Sequence, residues 1–473
     1  MSRVRKLASA LAVMAAGLAI PSPATAAPTG ASLEIVRASP TVTLDKYPRS
    51  PVYFDVGAYV ASVGGSFHLN VTRAGYGSPI TVTQVLPGGA RTLPAWVASG
   101  WDGMSRFVHY TVTNSSGRLV YKLRTGFCPD GYDLQRVNPS GPLNPTFPEF
   151  CGDNPFTLGA VWGIDRGWAV GLDDNAPEIA LAIGHYSVTV SIPPRYAALF
   201  RIPAGHARTT IAVNVVKAPP CCAAGSKPLA HPAGSPTAAP TVTHPDPATE
   251  PDLVALPSWG ISTQKQAGRE YLDFGATVWD HGPAPMDIEG FRRPGTAIMD
   301  AYQYFFKNGR PIGRAKVGIL EYDPDPGHEH WHFQQFVRYS LLNSTRSLVV
   351  RSQKDGFCLA PTDAIDLVQH GAVWNPDAIG LAGACGDQTA LWTRETLPSG
   401  WGDTYEQTLP GQSFDISDLP NGTYYISIEA NPLGAIHEVS TTNDTSLRKI
   451  ILGGTPGKRT VSVPAWNGID PEG

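Results

Sequence analysis

The sequence is poor in charge and lacks both an excess of positive charge and long apolar runs. Charged residues make up 16 % of its 473 residues and the formal net charge is -4, so no basic surface for binding nucleic acid is expected. Beyond residue 20, no stretch approaches the roughly 20 apolar residues of a membrane-spanning helix, and no transmembrane segment is expected in the mature chain. The absence of a nucleophile-elbow motif disfavours hydrolytic chemistry.

The N-terminus has the composition of an export signal. Three Lys or Arg side chains within the first six residues precede an apolar segment at 7–20, and small residues follow up to Ala26. This order is typical of a secretory signal peptide. We therefore expect residues 1–26 to be removed by cleavage after Ala26 and the mature protein to be secreted.

The composition predicts a mainly β fold. Gly (49) and Pro (44) are abundant, and helical periodicity is scarce. Segments such as SVTVSI (187–192) and YYISIEA (424–430) alternate apolar and polar residues, which is the pattern of half-buried strands. We expect two β-sandwich-like domains with long loops.

A Pro- and Ala-rich segment at 217–250 separates the two domains. It has no hydrophobic period that could bury one face, so we interpret it as a semi-extended linker. The expected domains are residues 33–216 and 251–457, followed by a tail at 458–473. Two domains agree with a chain too long for one ordinary domain.

The two halves are similar to each other in an ordered series of short matches. Single chance matches of Gly or Tyr do not explain a series that keeps its order and includes cysteines. The matches include FVHY (107–110) with FVRY (336–339), GFC (126–128) with GFC (356–358), and CGD (151–153) with CGD (385–387). The sequence therefore predicts two copies of one domain.

The six cysteines fit an exported, oxidised protein. Four of them form two similarly spaced pairs at matching places in the two halves, and each pair is expected to form an internal disulfide. These pairs are Cys128 with Cys151 and Cys358 with Cys385. The adjacent Cys221 and Cys222 in the linker are free to bond to each other, link two chains or stay reduced.

Three histidines stand at alternate positions in the string His328-Glu329-His330-Trp331-His332. On a strand, alternate side chains share one face, so all three imidazoles are expected to point the same way. Neutral imidazoles suit copper or zinc, and iron or nickel less well, whereas hard cations prefer oxygen ligands. The spacing leaves the metal open: zinc would give a structural or hydrolytic site, and copper would give oxygen chemistry.

The second half resembles the lysyl oxidase family. The His-x-His-x-His string is followed by Lys354 shortly before a Phe-Cys-Leu string at 357–359, and then by Tyr405 in an Asp-x-Tyr context. A Pro-Asp-Leu-Val string at 251–254 resembles the opening of the family's catalytic domain. The resemblance covers residues 251–455.

The resemblance implies a role for each of these residues. His328, His330 and His332 would bind copper. Tyr405 would be oxidised to a quinone, and the amine of Lys354 would add to it, which gives the lysine tyrosylquinone cofactor. The chain would then be a secreted copper-dependent oxidase that converts primary amines, either peptidyl lysine or small amines, and oxygen to aldehydes, ammonia and hydrogen peroxide.

Further residues of the second half are candidates for supporting roles. Glu329 and Gln334 are candidates to orient the imidazoles, and Asp403 is a candidate general base, although it could equally cap a turn. The resemblance also implies a calcium site. Its ligands would be Asp252, Asn443 and Asp444, while Ser440 stands where an acidic ligand is expected.

The first half lacks the residues with chemical roles. Through the internal matches, the three histidines correspond to Ser99, Trp101 and Gly103, while Lys354 corresponds to Arg124 and Tyr405 to Leu172. The first domain is therefore expected to bind no copper at this place and to form no quinone. Substrate docking, envelope attachment, dimer contacts or a spacer function all remain open for it.

Two rival functions remain open for the whole chain. The three histidines also suit a secreted copper- or zinc-binding protein without catalysis, and two sandwich domains also suit an exported structural or adhesive protein. Only the oxidase requires both Lys354 and Tyr405, so this pair distinguishes it from the rivals.

Overall fold

The computed structural model describes residues 31–152, 154–172, 177–218, 235–307, 309–325, 328–352 and 354–472. The expected signal peptide with its cleavage after Ala26, and the Cys221–Cys222 pair, lie outside these residues. Among the described residues, no helix combines the length and the apolar content that a membrane crossing requires.

The first half contains fifteen strands and one short helix among its described residues. The strands are β1 (Ser32–Arg37), β2 (Thr41–Lys46), β3 (Val52–Tyr53), β4 (Ala58–Val63), β5 (Phe67–Thr72), β6 (Thr81–Leu86), β7 (Gly89–Thr92), β8 (Met104–Asn114), β9 (Leu119–Phe127), β10 (Leu134–Arg136), β11 (Gly159–Ile164), β12 (Trp168–Gly171), β13 (Glu178–Ile179), β14 (Gly184–Ser191) and β15 (Arg208–Lys217). The helix is α1 (Pro194–Leu199), and a 3-10 turn spans Ala95–Val97.

The second half contains seventeen strands and two 3-10 turns among its described residues. The strands are β16 (Leu253–Ala255), β17 (Trp259–Gln266), β18 (Arg269–Asp280), β19 (Met286–Arg292), β20 (Ile298–Lys307), β21 (Arg310–Asp323), β22 (His330–Gln334), β23 (Val337–Leu342), β24 (Leu348–Arg351), β25 (Gly356–Phe357), β26 (Asp363–Ala364), β27 (Trp392–Leu397), β28 (Trp401–Tyr405), β29 (Ser413–Asp415), β30 (Gly422–Ala430), β31 (Thr445–Thr455) and β32 (Lys458–Ser462). The turns span Pro247–Thr249 and Asp377–Ile379.

The fold is mainly β, as the composition predicted. Both alternating segments singled out in the sequence are strands, β14 and β30, and their apolar residues are buried. Two disulfides, Cys128–Cys151 and Cys358–Cys385, confirm the expected pairing. Each half has its own large buried apolar cluster, because the strands place alternate side chains between packed sheets.

Two sheets of the second half position the candidate site. One has the strand order β25-β22-β21-β20-β19-β27, and the other has the order β16-β18-β28-β26. The histidine strand β22 lies in the first of these sheets, and Tyr405 lies at the end of β28 in the second. The site is therefore assembled from strands that are far apart in the sequence.

One sheet of each half has the same strand order. In the first half β9-β8-β14-β15 are neighbours, and in the second half β24-β23-β30-β31 are neighbours. Both sheets carry a tyrosine hydroxyl that donates to the carbonyl four residues before it, from Tyr186 to Ala182 at 2.9 Å and from Tyr424 to Pro420 at 2.8 Å. These shared features support the proposal that the halves are copies of one domain.

The halves are joined by backbone hydrogen bonds. Leu158 donates its N–H to the carbonyl of Ile365 at 2.6 Å, and Leu367 donates to the carbonyl of Gly159 at 2.8 Å. Gly159 and Asp366 form a parallel bridge. The start of β11 therefore extends the sheet that contains β26 and β28, and a buried cluster that includes Phe156 of the first half and Trp279 of the second seals the junction.

The expected linker and tail both pack against the second half where they are described. The N–H of Thr237 donates to Glu289 at 2.9 Å, and Val242 donates to the carbonyl of Arg314 at 2.9 Å. The segment after residue 457 begins with strand β32, which pairs with β31. The part of the linker from residue 235 onward, and the tail, are therefore components of the second domain rather than free segments.

Candidate metal and cofactor site

The three histidines cluster, but they do not share one strand as expected. Strand β22 begins at His330, so it carries His330 and His332, while His328 lies in the preceding loop. Glu329 has a left-handed φ of 38°, which turns the chain just before the strand starts. The ring centroids are still 4.6 Å apart for His330 and His332 and 5.4 Å apart for His328 and His332.

The histidine string also satisfies the His-Glu-x-x-His pattern of zinc proteases, which requires a helix that places both outer histidines on one face. Here the string forms a loop and a strand, and Glu329 is exposed. The protease arrangement is therefore not formed. The side chain of Gln334 donates to the carbonyl of His332 at 3.3 Å, and it does not contact an imidazole nitrogen.

Asp323 is the carboxylate that accompanies the histidines, and the sequence reasoning missed it. Its Oδ2 lies 2.7 Å from Nδ1 of His328 and 3.5 Å from Nδ1 of His332. Asp323 ends strand β21, and the antiparallel register places it opposite His330. The ligand atoms of Asp323, His328 and His332 all lie within 4.8 Å of one another, which is close enough to hold one metal ion.

The buried imidazoles are held in the neutral form that binds metals. Burial, with the positive charge of His330 and Lys354 nearby, lowers the pKa of His332 to about 3. Burial and the neighbouring His328 also lower the pKa of His330. Three imidazoles and one carboxylate fit a divalent transition metal such as copper or zinc, because both ions accept nitrogen together with oxygen donors.

Lys354 and Tyr405, 51 positions apart in the sequence, are in contact. The Nζ atom of Lys354 lies 4.4 Å from the centroid of the Tyr405 ring and 5.1 Å from that of Phe357. Burial lowers the pKa of Lys354, against the opposing effect of Asp403. The lysine is therefore biased towards the free amine, which is the nucleophilic form.

Hydrogen bonds to the backbone hold Tyr405 in place, and a glycine packs closely against Lys354. The phenol oxygen of Tyr405 accepts from the N–H of Cys358 at 2.8 Å and donates to its carbonyl at 3.0 Å, and the disulfide from Cys358 to Cys385 ties that segment down. Gly411 has a φ of 83°, and a Cβ there would lie 3.0 Å from Cβ of Lys354. Glycine is required at this turn because the lysine stem passes so close to it.

Two buried carboxyl groups, Asp403 and Glu395, lie close enough to Tyr405 to act on it electrostatically. Burial raises the pKa of Asp403 well above its usual range, although the charge of Lys354 acts in the opposite direction. Burial likewise raises the pKa of Glu395, whose Oε2 accepts from the N–H of Leu359 at 3.0 Å. Asp403, the candidate base, is therefore a buried carboxyl group on strand β28, and its raised pKa makes it a stronger proton acceptor than an exposed aspartate.

A cavity of about 480 Å³ gives access to the site. Its lining includes His328, His332 and Lys354, together with the carboxylates of Glu321, Asp323 and Asp355. Tyr405 does not line this cavity but contacts the amine of Lys354, which does. The approach to the lysine is therefore rich in negative charge.

The expected calcium ligands form a second group of carboxylates. Asp252 accepts a hydrogen bond from Asn443 at 3.1 Å. Burial, with Asp252 and Glu429 nearby, raises the pKa of Asp444 to about 6, and Oδ1 of Asp444 and of Asn443 are buried without a hydrogen-bond partner among the described residues. Orphaned oxygens of this kind fit a hard cation.

Glu438 belongs to the same group and was missed from the sequence. Burial raises its pKa to about 7, and its Oε2 accepts from the N–H of Leu253 at 3.0 Å. Ser440, by contrast, bonds to Thr442 on the exposed surface. Glu438 is therefore a candidate for the acidic ligand that was expected at position 440.

Comparison with known proteins agrees with this geometry. The family described as Lysyl oxidase matches residues 320–459. Lysyl oxidase homolog 2 of Bos taurus and lysyl oxidase homolog 4 of Mus musculus are each 26 % identical over 156 residues, which is 33 % of this chain and 18 % of either relative. The chain thus spans less than a fifth of the length of these relatives. Residues 320–459, which hold the three histidines, Lys354 and Tyr405, are therefore similar to the lysyl oxidase family.

Proposed function

We propose that the second half is a copper-dependent primary-amine oxidase whose cofactor is built from Lys354 and Tyr405. The observation that carries the proposal is the 4.4 Å approach of the Lys354 amine to the Tyr405 ring, beside the cluster of three histidines. A binding or adhesive protein has no need to bury a lysine against a tyrosine. The match to the lysyl oxidase family supports the same function.

The residues of this chain supply positioning and proton handling. The three histidines would hold the metal, and burial lowers the pKa of His330 and of His332. Cys358 holds the phenol of Tyr405 through two hydrogen bonds, so the ring can meet the lysine in only one orientation. When bound, copper and a lysine tyrosylquinone would supply the two-electron oxidation of a primary amine by oxygen, and with one water the products would be an aldehyde, ammonia and hydrogen peroxide.

Asp403 is the proposed proton carrier of the site. It is buried, it acts electrostatically on Lys354, and its Oδ2 has no hydrogen-bond partner among the described residues. Burial raises the pKa of this carboxyl group, so it accepts a proton more readily than an exposed aspartate does. We assign to it the proton that the amine of Lys354 gives up.

The negatively charged lining of the cavity favours a positively charged substrate. Glu321 and Asp355 line the approach, and they attract an ammonium group, whether on a lysine side chain or on a small amine. We also propose that the protein is exported, since the N-terminal sequence has the order of a signal peptide and both disulfides require an oxidising compartment.

The test is to load the full chain with copper in air and follow visible quinone absorbance together with amine-dependent peroxide. The parent should develop both signals, whereas Tyr405→Phe and Lys354→Arg should bind copper and develop neither. Tyr425→Phe, on strand β30 away from the site, is the matched control and should behave like the parent. Bound copper without absorbance or peroxide from the parent would instead favour a metal-binding protein.

A further inference from the structure

A second cavity, in the first half of the chain, is lined by positive charge. It has a volume of about 330 Å³, and its lining consists of Arg106, His109, Arg124 and Arg195 with two prolines, Pro193 and Pro194. No acidic side chain is among the described residues that line it. Within the same described part of the chain, no ion pair involves any of the three arginines.

Strand pairing and stacking hold these side chains together. His109 on β8 lies directly opposite Arg124 on β9. The guanidinium of Arg195, on α1, lies 4.5 Å from the ring centroid of Trp96, and it donates to the carbonyl of Ser105 at 3.3 Å. A stacked guanidinium with a backbone anchor loses little freedom when it binds a ligand.

The arrangement is unfavourable in the absence of an anion. The pKa of His109 is lowered by burial and by the charges of Arg124 and Arg195, which shows how strongly the positive charges act within this cavity. Three guanidinium groups around one cavity therefore repel one another with no carboxylate to offset them. A bound anion would remove this repulsion.

One residue of this cavity has a counterpart in the cavity of the second half. Arg124 matches Lys354 in the internal repeat, and Lys354 lines the cavity of the second half. Arg106 matches Gln335, and both have left-handed backbone, with φ of 52° and 62°. The cavity of the first half is thus lined by cations, whereas the charged residues that line the cavity with Lys354 in the second half are mainly carboxylates.

We propose that this cavity of the first half is a binding site for phosphate groups. A phosphate dianion offers three acceptor oxygens and nearly two negative charges, which matches several guanidinium groups better than a single carboxylate does. A free phosphate ester presents this dianion, and a phosphodiester polymer of a cell envelope presents a series of phosphates with one negative charge and two free acceptor oxygens each. The inference does not rest on the proposed oxidase function, since none of the proposed catalytic residues lies in this half.

Calorimetric titration of the full chain with inorganic phosphate tests the proposal. The parent should show saturable binding, and Arg124→Gln and Arg195→Gln should each weaken it by about tenfold or more, because each removes a charge-assisted bidentate contact. Arg118→Gln, in the exposed turn between β8 and β9, is the charge-matched control and should change the affinity less than about twofold.

Titrations with two further ligands distinguish the two possible sources of phosphate. Glycerol phosphate represents the free ester, and a soluble poly(glycerol phosphate) chain represents the polymer. Equal affinity per phosphate would indicate a solute site, and much tighter binding of the polymer, lost in Arg124→Gln, would indicate attachment to a phosphodiester polymer. Equal weakening by Arg118→Gln, or the absence of saturable binding for all three probes, would overturn the proposal.

Discussion

Replacing Asn154 with leucine tests whether the first half of the chain holds the strand that carries Tyr405. Asn154 belongs to the first half and its side chain is fully buried. It donates to Oγ1 of Thr277 at 3.1 Å and to Oγ1 of Thr404 at 3.4 Å, and it accepts from the N–H of Phe156 at 3.0 Å. Thr404 is the residue immediately before Tyr405.

The expected loss in the free energy of unfolding follows from these contacts. Leucine has a similar size but makes none of the three hydrogen bonds, each of which contributes about 1 kcal/mol. It also leaves the N–H of Phe156 buried without an acceptor, which costs about 1–3 kcal/mol. The two bonds to the threonines and the orphaned N–H of Phe156 together give an expected loss of about 3–5 kcal/mol in the free energy of unfolding for Asn154→Leu.

Two assays of the full chain check this expectation. Urea unfolding gives the free energy, and hydrogen exchange of metal-free protein reports on each strand separately. Exchange should accelerate in β28, on the far side of the domain junction, and stay unchanged in β14, within the first half. Two results would refute the reasoning: a loss of stability below about 0.5 kcal/mol, or faster exchange confined to the first half.

Three further predictions concern single carboxylates. Asp323→Asn should weaken copper binding by about 10- to 100-fold, measured by competition with a coloured chelator. Calcium should raise the unfolding temperature of the parent but not of Glu438→Gln, followed by calorimetry. Asp300→Asn should lower the free energy of unfolding by about 1–2 kcal/mol at pH 7, because hydrogen bonds from Arg293 and Lys316 lower the pKa of Asp300 to about 2. That carboxylate stabilises the fold above its unfolded pKa, so the difference between parent and variant should disappear as the pH falls towards 2.

Matched controls sharpen these three predictions. Asp325→Asn removes a nearby exposed carboxylate without touching an imidazole nitrogen, so equal loss of copper in both variants would mean that Asp323 acts only through its charge. Magnesium in place of calcium should have a much smaller effect, since it demands smaller and more regular coordination. For Asp300, a difference that persists at pH 2 would place its origin in packing rather than in ionisation.

Local patterns in the sequence predicted much of the fold. The alternating segments at 187–192 and 424–430 are strands because period-2 burial is visible in a few neighbouring residues. The cysteine pairs follow from equally local matches between the halves. The prediction of a strand through all three histidines was wrong because one residue, Glu329, adopts a left-handed backbone. A glutamate in the sequence gives no sign of this conformation.

The missed site residues depend on contacts between distant segments. Asp323 reaches the histidines through the register of β21 and β22, and Asn154 reaches Thr404 across the junction of the halves. Strand register and domain docking depend on the whole packed structure. The family resemblance supplied Lys354 and Tyr405, and the structure adds the groups that hold them in place.

The bridge between Gly159 and Asp366 limits how far this protein can be divided. A chain cut within the linker would still contain the whole stretch that matches the family, yet β26 would lose its neighbour and show unpaired N–H and C=O groups beside a newly exposed apolar surface. Open edges of this kind pair with other chains and aggregate. A cut in the linker that separates the two halves is therefore expected to leave the second half prone to aggregation, although the halves resemble separate modules.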